Sequence, residues 1–85
     1  MTVDARFLAA GREIARLRKM RGISQERLAE VAGLHRNYVG MVERGERNPT
    51  LKTLLEIAEA LDVGLADLFT GMPRRAPHRQ GGEMY

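Results

Sequence analysis

Cysteine is missing from this chain, and its 85 residues hold only two histidines, three prolines and 5% aromatic side chains. Without thiols there can be no disulfide framework and no thiolate metal site, so zinc is excluded and a reducing compartment is compatible. His35 and His78 are the only imidazoles, and no nucleophile has a base partner at motif spacing. Catalysis is therefore not expected, and no cofactor is called for. No apolar run approaches the length of a membrane span, and the N-terminus lacks the apolar core of a signal peptide. The expectation is a soluble, cytoplasmic protein without membrane contact. Strand-type alternation is absent as well, which leaves an all-α reading.

What charge there is runs modestly positive: 14 basic against 11 acidic residues, a net charge of +3. An excess of this size suits an anionic partner, but it also suits many ordinary soluble domains. Its distribution says more. Glu56, Glu59, Asp62 and Asp67 make the second half acidic, whereas Arg36, Arg44 and Arg47 cluster around one short helical pattern. A domain this small buries too little core for more than marginal stability, and dimerisation is the expected contributor.

Residues 25–44, QERLAEVAGLHRNYVGMVER, organise the chain. Ser24 is placed to cap a helix in which Leu28, Ala29 and Ala32 follow at helical spacing. Gly33 can adopt the left-handed conformation that ends it, with Leu34 packing back on the preceding turn. His35 then stands at the cap position of a second helix whose inward face carries Val39, Val42 and Glu43, leaving Arg36, Asn37, Gly40 and Arg44 outward. Small Ala29 at the crossing, Gly33 in the turn and Val39 beyond it meet the steric needs of a helix-turn-helix, whose second helix enters a DNA major groove.

On these residues the chain resembles the Xre/Cro-type, lambda-repressor-like family of bacterial and phage repressors. HRNYVGMVERGERNPTL is most similar to the controller proteins of restriction-modification systems. The resemblance implies a five-helix DNA-binding domain over residues 6–69, preceded by a short extension (1–5) and followed by a flexible basic tail (70–85). It also implies that the 45–49 loop lies along the phosphate backbone, and that Arg18 and Glu43 form a buried salt bridge.

The remaining segments fit that layout. Phe7, Gly11, Ile14, Ala15 and Leu17 make one stripe of a first helix, from Arg6 to Met20, that ends at Arg21 and Gly22. Arg18 interrupts the stripe and needs an anion, since an unpaired buried guanidinium is costly. After the Gly45 to Pro49 turn, Thr50 can cap a fourth helix with Leu51, Leu54, Leu55, Ala58 and Leu61 as its apolar face. A short fifth helix is read from Leu65 to Phe69. The stretch TGMPRRAPHRQGGEMY cannot bury enough to fold by itself.

Candidate DNA contacts follow from position and chemistry. Arg36 and Asn37 stand in the first turn of the second motif helix, where Arg can donate a bidentate pair to guanine and Asn can bridge adenine. Tyr38 has three roles open to it: stacking, a phosphate contact, or filling a gap against the first helix. Met41 occupies a base-reading position of the resembled family but offers only an apolar contact. Gly40 costs on the order of 1 kcal/mol in a helix interior, and its missing side chain would let backbone approach DNA. Gln25, Arg44, Arg47 and Asn48 are the phosphate candidates.

The expected partner is double-stranded DNA, bound as a homodimer on a roughly palindromic operator. The dimer surface is placed at Val63, Leu65, Leu68 and Phe69, with a wholly internal place left open for some of them, Leu68 in particular. The alternative is an antitoxin-like interaction module with secondary DNA binding, in which the tail after Thr70, or its Arg74, Arg75 and Arg79, meets a protein partner.

Overall fold

A computed structural model describes residues 4–73. Four helices, α1 (Ala5–Met20), α2 (Gln25–Ala32), α3 (Arg36–Glu43) and α4 (Leu51–Leu61), are followed by a 3-10 turn at Leu65–Phe69. Among the described residues there is no strand.

Local chemistry sets each boundary. The Asp4 carboxylate accepts the Arg6 backbone N–H at 2.8 Å, so α1 begins at Ala5, and the first residues are not uniformly a loose extension. Gly22, at φ 69°, turns the chain out of α1 while the Ile23 N–H bonds back to the Arg18 carbonyl. Ser24 caps α2 by accepting from the Arg27 N–H at 2.9 Å. Gly33, at φ 74°, closes α2, and the Leu34 N–H returns to the Ala29 carbonyl at 2.8 Å. Thr50 caps α4 through the Thr53 N–H.

The core gathers Ile14 and Leu17 from α1, Leu28 and Ala29 from α2, Val39 and Val42 from α3, and Ile57, Ala58 and Leu61 from α4, with Leu68 beneath them. The tightest approach lies where α1 crosses α3. A Cβ added to Gly11 would sit 2.2 Å from the Val42 carbonyl oxygen and 2.6 Å from that of Glu43. Only a residue without a side chain lets α1 lie directly on this end of α3.

Three expectations change. The fifth element is a five-residue 3-10 turn rather than an α-helix, tied by the Asp67 N–H to the Gly64 carbonyl and by the Gly64 N–H to the Asp67 carboxylate. The buried side of α4 runs through Ile57, Ala58 and Leu61, whereas Leu51 and Leu55 are 61% and 49% exposed. The α4 sequence is apolar on more than one side, so periodicity alone did not choose the core face. Leu68 is 0% exposed and belongs wholly to the core, so it cannot form part of a subunit contact.

Candidate nucleic-acid interface

α3 is held at both ends, by different means. At its start, His35 Nδ1 accepts the Asn37 backbone N–H at 3.2 Å, a side-chain cap supplied by a ring nitrogen. At its end, Glu43 is buried and accepts three side-chain bonds. Arg18 Nε donates to Glu43 Oε2 at 2.7 Å and Arg18 Nη2 donates to Oε1 at 3.1 Å, while Gln25 Nε2 donates to the same Oε1 at 2.8 Å. The third Arg18 nitrogen, Nη1, donates to the Ile23 carbonyl at 2.9 Å. One carboxylate thus joins the end of α1, the start of α2 and the end of α3. Among the described residues no buried side-chain nitrogen or oxygen lacks a partner, which is the condition under which a buried ion pair can be held at all.

The outward face is different in kind. Arg36 and Asn37 are exposed in the first turn of α3, and Arg36 Nη1 makes one 3.3 Å bond to Glu26 Oε2. Tyr38 is half-buried against the core and Met41 is half-buried. Arg47 and Asn48 are exposed in the loop that follows.

Gly40 departs from the open position expected of it. It is buried, because the protein's own side chains cover it: an added Cβ would meet Arg44 Nη1 at 3.2 Å and the Gln25 amide at 3.5 Å and 3.7 Å. The space left by the absent side chain seats a guanidinium. That guanidinium is itself engaged, Arg44 Nε donating to Glu46 Oε2 at 2.9 Å and Nη2 to Oε1 at 3.2 Å. The Arg44 hydrogen bond holds the Glu46 carboxyl below the usual range. Gln25 lies beside this seat with its amide nitrogen given to Glu43.

Glu26 and Glu46 are the residues that reading the sequence missed. Each stands within reach of an outward arginine, and the signal available was only their closeness in sequence to Gln25 and Arg44. Of the expected subunit surface, Val63 and Leu65 are half-buried at its edge. Phe69 turns inward with Phe7, Ile14 and Leu54 around a cavity of about 290 Å³. Arg74, Arg75 and Arg79 lie outside the described residues. Among the described residues no three His, Asp or Glu side chains gather as a metal site, and no helix is long and apolar enough to cross a membrane.

Two short helices about a left-handed glycine, with the second helix exposing its first turn, define a class. The chain belongs to the helix-turn-helix family, whose profile matches residues 14–68. Among its relatives are restriction-modification controllers. It is 53% identical over 53 residues to control protein C.SmaI of Serratia marcescens, the match covering 62% of this chain and just under two thirds, 63%, of that protein. It is 39% identical over 69 residues to control protein C.BamHI of Bacillus amyloliquefaciens, covering 80% of this chain and 84% of that protein. The crystal structure of the controller protein C.AhdI from Aeromonas hydrophila superposes with a TM-score of 0.75 at 46% identity, covering 76% of this chain and 98% of that one. The chain is thus a transcriptional regulator of the helix-turn-helix type, similar to controller proteins.

Proposed function

We propose that the protein is a homodimeric, sequence-specific DNA-binding regulator that acts on a roughly palindromic operator as a restriction-modification controller in the cytoplasm. The observation that carries this reading is the exposure of Arg36 and Asn37 on the first turn of α3, whose other end is pinned by the Arg18, Gln25 and Glu43 network. A reading side chain is useful only on a support that does not move. Arg36 donates to guanine O6 and N7 once in each half-site, Asn37 is the secondary reader, and Tyr38 and Met41 border them. Arg44, Arg47 and Asn48, with the α2 N-terminus at Gln25, meet phosphates and set position rather than sequence. Residues 6–69 form the DNA-binding unit.

The subunit contact uses Leu51 and Leu55, one turn apart on the outer side of α4, together with Val63 and Leu65. These apolar groups lie on or at the edge of the surface, and the core does not enclose them. Two symmetric subunits then address two symmetric half-sites.

The test measures wild-type and Arg36→Ala affinity at one fixed salt concentration, on the operator and on versions with each guanine changed in both half-sites. Operator binding should fall by about 1–3 kcal/mol per bidentate contact, with much less loss on unrelated DNA. If every guanine change keeps its full effect in the Arg36→Ala background, Arg36 reads no guanine.

A further inference from the structure

The turn that follows α3 carries a carboxylate where a nucleic-acid surface has least use for one. Glu46 meets Arg44 in a two-bond fork, 2.9 Å and 3.2 Å, while Arg44 Nη1 lies over Gly40 beside the Gln25 amide. Nε and Nη2 of Arg44 are therefore taken by Glu46, and Nη1 is packed over Gly40. A fork of two N–H groups on two oxygens is also the geometry by which a guanidinium grips a phosphate. The Arg36 to Glu26 contact is not equivalent, being a single 3.3 Å bond through Nη1, with Nε and Nη2 bonded to no other of the described residues.

We infer that Glu46 is an internal stand-in for a DNA phosphate: it occupies the Arg44 fork in the free protein and is displaced when DNA binds. This rests on the DNA-binding reading above. The exchange makes Arg44 a poor net contributor to affinity, because each phosphate bond gained replaces a carboxylate bond lost. It also changes the response to salt. The exposed Arg44–Glu46 pair is easier to break as salt rises, which offsets part of the counterion-release cost of the phosphate contact, so Arg44 adds less to the salt dependence than a free arginine would. Glu46 is a positioning residue that acts through Arg44, and it sets how tightly the protein holds any duplex.

The experiment uses the full chain, with Glu46→Gln, Arg44→Gln and the double variant, on an operator duplex and a duplex of unrelated sequence, over a series of salt concentrations. Glu46→Gln should tighten binding to both duplexes by about threefold to tenfold at low salt and steepen the salt slope by up to about one unit. Arg44→Gln alone should weaken binding to both duplexes, but by less than Glu46→Gln tightens it, because the phosphate contact it removes had replaced a carboxylate contact. In the double variant the gain should vanish, since the fork is gone. A gain from Glu46→Gln that persists without Arg44 would mean that Glu46 merely repels DNA at a distance, which overturns the exchange. Wild-type binding that Glu46→Gln leaves unaltered in strength and slope overturns it too. A wild-type protein that binds neither duplex removes the DNA-binding reading and the exchange with it.

Discussion

α3 sits in two different settings. Its C-terminal end lies under α1, where the carbonyls of Val42 and Glu43 leave no room for a side chain at Gly11 and the Arg18 and Gln25 donors around the Glu43 carboxylate are fixed. Its outward side is held loosely by comparison, with Arg36 in the first turn on one long bond and Arg44, just past the last residue, on an exposed fork. Groups that must stay are held by shape and by several bonds at once. Groups that must change partners are held by exposed bonds that water and salt weaken.

The sharpest way to break this contrast is to strip the buried carboxylate. Glu43→Leu strands both Arg18 and Gln25, and loss of one partner from a buried pair typically costs about 3–5 kcal/mol. Arg18→Met should cost somewhat less, because Glu43 keeps its Gln25 bond. The double variant should be milder than the sum, and thermal and denaturant melts measure all three. Equal, small and additive losses would show that the network holds nothing.

Next in size is Gly11→Ala, a change of one methyl group. The added carbon has to push α1 off the α3 backbone, and overpacking of this kind costs about 1–3 kcal/mol or more. Unfolding in urea checks it. A variant as stable as wild type would mean that the crossing has slack after all.

Leu55→Glu sharpens the comparison from another side, since the outer face of α4 is apolar without being core. It should remain folded and sediment as a monomer. A folded dimer would place the contact elsewhere.

The smallest expected effect concerns Asp4, whose carboxyl is lowered from 3.8 to about 2, first by its side-chain hydrogen bond with Arg6. The folded carboxyl holds its proton less tightly than the unfolded one, so acid favours unfolding at this site. The contribution is complete above the unfolded value and is lost as pH falls through about 2. Melts of Asp4→Asn should differ from wild type at neutral pH and converge with it at the acid end. A constant difference down to pH 2 would show that the charge is irrelevant to the cap.

What was legible in the sequence follows the same division. Ser24, Gly33, His35 and Thr50 act on backbone groups two to five residues away, so cap chemistry could be read in order along the chain. Arg18 and Glu43 were visible as charges on apolar stripes, and the structure brings them together. Asp4 was overlooked because no periodic pattern precedes it. Leu51 and Leu55 were assigned inward in place of Ile57, and Leu68 outward, because the choice of core face depends on where neighbouring helices lie. Gly40 and Gly11 show the limit most clearly. Gly40 was read as a missing side chain and Gly11 only as part of the first helix's stripe, because whether DNA, a guanidinium or a carbonyl fills the space is decided by elements far away in sequence.

The length of α3 has one more consequence. Eight residues make a rod of about 12 Å at 1.5 Å per residue, and on the proposed docking only its first turn touches base edges. Each subunit then names a base pair or two. A fully specified pair thins random sequence about fourfold, and four pairs across a dimer about 256-fold, against the roughly 10⁶–10⁹ rival positions of a genome. So little information cannot single out one address. Occupancy of the operator becomes a matter of supply, and the number of molecules in the cell is itself part of the message the protein reads.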